Sequence, residues 1–178
     1  EKVKKNYSPN SSIQKKLGRP LIIGDAAHSL GARYKNKKLG NQIDISIFSF
    51  HSVKNLTTGE GGAIALNLPE EFDNEQVCQD LKILSLNGQT KSAFEKNKIG
   101  VWKYDIVNQG LKVNMPDICA AIGLAQSKIY LEKLLPERKK IFEKNNSFFS
   151  IKNWALTPLS IDDKRESSYH LYMLRIDK

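Results

Sequence analysis

Three short segments of the chain have the apolar and β-branched character of buried strands. The apolar run at residues 21–23 is followed by a glycine and an acid, as happens where a strand ends at the edge of a sheet. Residues 43–50 are rich in Ile and Phe and predict a second strand, and residues 61–67 predict a third. We therefore expect a sheet whose loops frame the polar residues that follow these strands.

Other segments repeat apolar residues at helical spacing. Residues 70–86 predict an amphipathic helix packed on a sheet, and the Asn-Gly pair that follows predicts its end. Residues 116–135 predict a helix whose alanines and glycine would let another backbone approach closely. Pro136 predicts a kink or break, with a second, basic helix over residues 137–149.

The C-terminal segment "YHLYMLRID", residues 169–177, alternates well enough to predict one more strand. No internal repeat or low-complexity segment interrupts the chain. Strands and helices are mixed along the sequence, and this mixture predicts an α/β fold.

The net charge changes this picture little. The 178 residues include 28 Lys and Arg against 19 Asp and Glu, for a formal net charge of +9. A basic protein can bind nucleic acid, but these lysines are spread along the chain and are not interleaved with stacking aromatics. We therefore expect a solvated basic surface with some attraction for phosphorylated ligands, and no nucleic-acid partner.

The sequence also predicts no membrane partner. No segment approaches the roughly 18 consecutive apolar residues of a membrane span, and the opening "EKVKKNYSPNSS" lacks the apolar centre of a signal peptide. We predict a cytoplasmic protein. Cys78 and Cys119 have neither the spacing of a zinc site nor the density of a disulfide scaffold, so we expect them to pack in helices and expect no metal.

Lys54 stands in the stretch "SFHSVKNLTTGEGG", after a predicted strand and before a loop of threonines and glycines. Most lysines are solvated surface charges, and this interpretation stays open. The alternative is an amine held at a sheet edge and facing a ligand. Such an amine can form a Schiff base with a carbonyl compound, provided that it can lose its proton.

Asp25 and His28 follow the first predicted strand. An acid after a glycine is commonly a turn residue, but a carboxylate at a strand end can also pair with a protonated pyridine nitrogen. His28 is either a loop histidine or a side chain that stacks on, or hydrogen-bonds to, a bound ring.

Hydroxyl groups and glycines surround Lys54. They either cap the local backbone or line a phosphate, with the glycines letting the backbone bend around the lysine. The Gly-Glu-Gly-Gly run alone matches no Walker or Rossmann fingerprint. The residues concerned are Ser49, His51, Thr57, Thr58, Gly59, Gly61 and Gly62.

Together these residues resemble a known family. The segment "IIGDAAHSLGARYKNKKLGNQIDISIFSFHSVKNLTTGEGGAIALN" closely resembles the centre of the DegT/StrS sugar aminotransferases, pyridoxal phosphate enzymes of fold type I. "GLKVNMPDICAAIGLAQ" resembles a second signature of that family, and "YHLYMLRID" resembles its small-domain strand. The resemblance implies part of the large-domain mixed sheet over residues 1–135 and the start of the small C-terminal domain over residues 136–178.

The resemblance also implies roles for single residues, with pyridoxal 5'-phosphate as the cofactor. Lys54 would be the Schiff-base lysine and the proton carrier. Asp25 would hold the pyridine nitrogen, His28 would touch the oxygen of the ring, and Ser49 would bind the cofactor phosphate. A related group that dehydrates its sugar has histidine in place of the lysine, so Lys54 favours transamination.

Lys112 and Asn114 match a loop that in this family reaches the cofactor phosphate of the partner subunit. The resemblance therefore implies a homodimer with shared active sites. The implied reaction transfers an amino group from glutamate to a nucleotide-linked keto sugar, in the biosynthesis of cell-surface glycans.

Family members are longer than this chain. Their N-terminal part supplies a Gly-Ser/Thr turn for the phosphate and an aromatic that stacks on the cofactor ring. The sequence is therefore interpreted as a fragment that lacks the N-terminal part and the end of the small domain. The alternative to an aminotransferase is a catalytically incompetent truncated or split-gene product that serves as a subunit or structural piece.

Overall fold

The computed structural model describes residues 6–91 and 103–177. Packing divides the chain into two units. One unit combines the residues up to Asn67 with those from Asp117 onward, and the other is Leu68–Pro116. The domain boundary expected between residues 135 and 136 remains a prediction.

The described elements are short strands and four α-helices. The strands are β1 (Ile23–Asp25), β2 (Arg33–Tyr34), β3 (Lys37–Lys38), β4 (Ile45–Ser49), β5 (Gly62–Leu66), β6 (Ala155–Leu156), β7 (Arg165–Glu166) and β8 (Arg175–Ile176). The helices are α1 (Ser12–Leu17), α2 (Asn74–Ser85), α3 (Asp117–Ile129) and α4 (Leu135–Phe149), with a π-helical turn, Tyr130–Leu134, between α3 and α4.

The three strands predicted from apolar runs form one sheet in the order β1-β4-β5. β1 pairs in parallel with β4, and β5 pairs antiparallel with the other side of β4. Ser46 and Phe48 of β4 are buried, whereas Ile47 between them is exposed, as the alternation of a strand requires. Because β1 and β4 are parallel, the loops that follow them leave the sheet at the same edge.

A salt bridge holds the opposite edge of this sheet. The buried carboxylate of Asp44 accepts two hydrogen bonds of 2.6 Å from the Arg19 guanidinium. It also accepts the backbone N–H of Ile22 at 2.8 Å, directly before β1. The carbonyl of Asp44 accepts the N–H of Asn67, directly after β5, at 2.8 Å. One residue therefore ties together the ends of all three strands.

The sequence analysis missed a second sheet, in the order β3-β2-β7. β2 and β3 form a hairpin through Lys35 and Asn36, whose φ angles of 48° and 62° are both positive. Two consecutive residues of this conformation make the tight turn that suits the twist of a hairpin. Strands of two residues carry too little hydrophobic alternation to be predicted.

Helix α2 confirms the amphipathic helix predicted over residues 70–86, with bounds of 74–85, and its packing on a sheet remains a prediction. Asp73 caps its start by accepting the N–H groups of Glu75 and Gln76, each at 3.0 Å. After the helix, Asn87 and Gly88 take left-handed φ angles of 57° and 72°. The Asn-Gly stop is therefore confirmed.

The irregularity predicted at Pro136 is a π-helical turn, Tyr130–Leu134, directly before the proline, and α4 follows without a break. A proline in a helix disturbs the turn that precedes it, so the irregularity lies where the proline acts. Pro136 lies in the first turn of α4 and lacks the N–H that would continue the hydrogen bonding of the preceding helical residues. The predicted helices over 116–135 and 137–149 are otherwise confirmed.

At Gly123 of α3 the close neighbour is a side chain and not the backbone that was predicted. A Cβ added there would lie 2.7 Å from Cγ2 of Thr58, which is buried in the loop between β4 and β5. Gln126, one turn later, accepts the N–H of Thr57 at 3.1 Å and donates to its carbonyl at 2.6 Å. Helix α3 thus holds the loop that contains Lys54.

The strand predicted over residues 169–177 is mostly wrong. Only β8 is a strand there, paired with β6, and Tyr169 has a left-handed φ of 53°. The rings of Tyr169 and Tyr172 both pack edge-on against Phe142 of α4, at centroid distances of 5.5 and 4.7 Å. Packing on a helix therefore replaces pairing in a sheet.

Two further observations concern the described helices. Cys78 and Cys119 are free and half-buried, in α2 and α3, as expected for packing residues. Within residues 6–91 and 103–177, none of the helices has the length and apolar character needed to cross a membrane.

Candidate active site

Lys54 lies in the loop between β4 and β5, and its amine meets the loop that follows β1. Its Nζ is 2.7 Å from Nε2 of His28, and its backbone N–H donates to the carbonyl of His51 at 2.9 Å. Lys54 is half-buried. The parallel pairing of β1 and β4 explains this meeting, because both strands deliver their following loops to one edge. The amine is therefore held at a sheet edge.

Asp25 and Ser49 end the two strands that carry these loops. Asp25 is the last residue of β1, is exposed, and accepts the N–H of Ala27 at 3.0 Å through Oδ1. This bond is the local turn interaction that the sequence allowed. Ser49 is the last residue of β4 and accepts the N–H of His51 at 3.3 Å. Both side chains thus stand at the edge where Lys54 and His28 meet.

The threonines after Lys54 shape the loop. Thr58 donates to the carbonyl of Glu60 at 2.7 Å, and Thr57 accepts the N–H of Gly59 at 3.0 Å. These contacts fit the interpretation of both residues as local backbone caps. Gly62 follows at the start of β5, where an added Cβ would lie 2.5 Å from the carbonyl oxygen of Phe48. A side chain is therefore excluded at this position.

A buried polar network that the sequence analysis missed lies behind the lysine. Asn55 donates through Nδ2 to the carbonyl of Ser168 at 2.7 Å and to the hydroxyl of Tyr130 at 3.2 Å. Its Oδ1 lies 2.8 Å from Nδ1 of His170. Ser168 in turn donates to the carbonyl of His28. The only signal in the sequence was the place of Asn55 directly after Lys54.

Burial changes the acid–base behaviour of two members of this network. Burial raises the pKa of the Tyr130 hydroxyl, which stays protonated and donates to the carbonyl of Leu30 at 2.7 Å. Burial also lowers the pKa of His170, and the nearby charges of His28, Lys54 and Arg138 lower it further. The His170 ring is therefore neutral near neutral pH.

A pocket of about 510 Å³ opens beside His28. This volume is within the range of small-molecule sites. Its lining combines apolar side chains with hydroxyl groups and guanidinium groups. The polar side chains on its wall include Ser29, Arg33, Ser160, Arg165 and Ser167.

Lys112 and Asn114 belong to the unit Leu68–Pro116. Both are exposed, and the Lys112 ammonium donates to Oδ1 of Asn114. The two residues that the resemblance singled out together are therefore in contact with each other. Their role toward the cofactor of a partner subunit remains a prediction.

Residues 12–178 match the profile of the family described as the DegT/DnrJ/EryC1/StrS aminotransferase family. A UDP-4-amino-4,6-dideoxy-N-acetyl-beta-L-altrosamine transaminase of Campylobacter jejuni is 38% identical over 169 residues, which are 91% of this chain and 39% of that protein. The spore coat polysaccharide biosynthesis protein SpsC of Bacillus subtilis is 35% identical over 159 residues, 89% of this chain and 39% of that protein.

Solved structures are similar over the same part. Spr1654 of Streptococcus pneumoniae, provisionally assigned as a sugar aminotransferase, superposes in its PMP form with a TM-score of 0.87 and 39% identity. The match covers 98% of this chain and 43% of that one. The PLP form of the same protein gives a TM-score of 0.83. This chain thus spans about two fifths of the length of the relatives that it matches.

Proposed function

Because this chain belongs to the DegT/DnrJ/EryC1/StrS aminotransferase family, we propose that it contributes to a pyridoxal phosphate-dependent sugar aminotransferase. The fold is the α/β fold of that family, so the predicted fold class is confirmed. The observation that carries the proposal is the 2.7 Å contact between the Lys54 amine and His28 at the carboxyl edge of two parallel strands. The PLP and PMP forms of Spr1654 support the cofactor.

The side chains at this edge fit the functional groups of pyridoxal phosphate. The cofactor supplies a carbonyl that takes up and releases the amino group, and a ring that withdraws electrons. Lys54 would be the amine that holds the carbonyl of the cofactor and carries the proton. Asp25 would hold a proton on the ring nitrogen, His28 would contact the ring, and Ser49 would bind the phosphate.

The hydrogen-bonding nitrogen beside the amine supports the role of Lys54. His28 Nε2 accepts a hydrogen bond from the lysine ammonium only when that nitrogen carries no proton. This contact holds the amine at the edge of the sheet where the cofactor would bind.

The substrates that we propose are glutamate and a nucleotide-linked keto sugar. The pocket beside His28 supports this class, because serine hydroxyls bind sugar hydroxyls and guanidinium groups bind phosphate oxygens. The name of the Campylobacter relative supports a nucleotide-linked sugar as substrate, and the spore coat polysaccharide protein of Bacillus supports a role in the biosynthesis of cell-surface glycans. We further propose a homodimer in which Lys112 and Asn114 reach the active site of the partner subunit, and a cytoplasmic location.

The test is covalent trapping of the cofactor. The purified protein is incubated with pyridoxal phosphate, reduced with borohydride and digested, and the modified peptide is identified by mass spectrometry. We expect modification at Lys54 and its loss in Lys54→Arg. The exposed Lys140 of α4 gives the matched control, Lys140→Arg, which keeps the Lys54 adduct.

Two other outcomes would contradict the proposal. Modification scattered over surface lysines would show that Lys54 has no special reactivity. No modification would favour the alternative of a catalytically incompetent fragment that acts as a subunit or structural piece.

A further inference from the structure

Three segments that are distant in sequence meet at Asn55. Its side chain forms hydrogen bonds with Tyr130, 75 residues later in the chain, and with Ser168 and His170, which are 113 and 115 residues later. Asn55 and Ser168 are 8% and 5% exposed. A buried amide whose donors and acceptor are all hydrogen-bonded has one orientation, so the network holds Ser168 and His170 in fixed positions.

These bonds determine where the proton of His170 lies. The carbonyl of Ser168 can only accept, so the Asn55 atom that faces it at 2.7 Å is the amide nitrogen. The amide oxygen therefore faces His170 Nδ1 at 2.8 Å, and an oxygen acceptor requires a proton on that nitrogen. Nε2 of the neutral His170 ring then carries no proton.

The same segment holds His28 at two points. The rings of His28 and His170 lie 4.3 Å apart between centroids, at an interplanar angle of 49°. The Ser168 hydroxyl donates to the backbone carbonyl of His28. His28 is itself exposed, so these contacts restrict a ring that solvent would otherwise leave free to rotate.

We propose that Asn55 and His170 are positioning residues, which orient the His28 ring so that its unprotonated Nε2 faces the Lys54 amine. Asn55 fixes the His170 ring with its proton on Nδ1, and His170 fixes the His28 ring by packing against it. His28 then keeps its own proton on Nδ1. This proposal rests on the proposed function of Lys54, but its first test does not involve the cofactor.

The first test is nitrogen NMR of the histidine rings in the protein without cofactor. The chain contains three histidines, so substitution of each one in turn assigns its signals. At a pH where both rings are neutral, we expect His28 and His170 each to show one tautomer, with the proton on Nδ1 and a bare Nε2. A proton on Nε2 of His170, or a mixture of its two tautomers, would overturn the proposal.

The second test replaces His170, the residue that packs against the His28 ring. His170→Phe keeps a ring of similar size next to His28 but removes the Nδ1–H donor to Asn55. We expect the His28 signals to shift toward a mixture of tautomers. Tyr172→Phe is the matched control, because it removes a 2.8 Å hydrogen bond to Asn146 from the same segment without touching His28. Unchanged His28 tautomers in His170→Phe would overturn the proposal.

The third test measures how strongly the contacts of His170 affect the reactivity of Lys54 with pyridoxal phosphate. The rate of borohydride-trapped modification should fall roughly tenfold in His170→Phe, since a misplacement of about 1 Å can cost about 100-fold in rate. It should not change in Tyr172→Phe. An equal rate in both variants would overturn the proposal. If the unaltered protein shows the expected tautomers but no adduct at Lys54, the proposed function fails and the positioning of His28 stands.

Discussion

Removing the guanidinium of Arg19 should destabilise the sheet that carries the candidate site. Asp44 is 4% exposed and accepts three hydrogen bonds, two from Arg19 and one from the backbone of Ile22. Arg19→Met keeps the aliphatic part of the side chain and removes both charged donors. The buried carboxylate then keeps one of three donors.

The expected cost is about 2–3 kcal/mol in the free energy of unfolding. Breaking a buried ion pair from one side costs about 3–5 kcal/mol, and a hydrogen bond to a charged group contributes about 1.5–3 kcal/mol. The Arg19 side chain is 35% exposed, so water screens part of the interaction and the lower values apply.

Equilibrium unfolding in urea, followed by circular dichroism, measures this difference at pH 7. Arg165→Met is the matched control. Arg165 also makes a two-point contact with a carboxylate, Asp162, with a shortest distance of 2.6 Å, but the two side chains are 65% and 23% exposed and so are better solvated than Arg19 and Asp44. Exposed pairs add little to stability, so the control should unfold like the parent protein.

The pH dependence gives a second check on the same pair. The Arg19 hydrogen bonds hold the pKa of Asp44 below its ordinary value of 3.8. The stability from this lowered pKa is fully present above pH 3.8 and is lost as the pH falls through the folded-state pKa. The parent and Arg19→Met should therefore converge at low pH. A difference at pH 7 within about 0.5 kcal/mol, the usual size for a surface change, would refute the reasoning.

Three other substitutions test separate contacts. Gly88→Ala should lower the free energy of unfolding by about 2 kcal/mol or more, because a Cβ there overlaps a facing backbone carbonyl and φ is 72°. Hydrogen exchange should show lost protection in the unit Leu68–Pro116. The control Gly18→Ala, with φ of 66° and open space around the added Cβ, should destabilise less. Gly123→Ala should destabilise by about 1–2 kcal/mol, since the 2.7 Å contact with Thr58 outweighs a gain of about 1 kcal/mol in helix propensity; a rise in melting temperature would contradict this. The lowered pKa of His170 should make stability fall as the pH drops below 6.5, and His170→Phe should remove that slope in pH-dependent melting.

The sequence was sufficient to predict the sheet and the edge where the site lies. Continuous apolar runs marked β1, β4 and β5, and the polar residues directly after them were expected in the loops that these strands frame. These are local signals, because strand length and strand ends are encoded within a few residues. The contact between Lys54 and His28 was not predicted, because it depends on the parallel pairing of β1 and β4.

The support behind the lysine could not be predicted in this way. Asn55 and His170 are separated by 115 positions, and no local pattern indicates that they pair. The alternation over residues 169–177 predicted a strand, but contacts with Phe142 and Asn55 hold this segment in another conformation. Tertiary packing there overrides the local preference.

The π-helical turn between α3 and α4 determines which way the second helix faces. An α-helix advances about 100° per residue, so one additional residue within a turn rotates everything after it around the axis. Gly123 on α3 faces the lysine loop, and Phe142 on α4 faces Tyr169. Deleting one residue of the turn would rotate Phe142 away from Tyr169. The π-helical turn therefore sets the rotation of α4 relative to α3, so that α3 packs against the lysine loop while α4 packs against Tyr169.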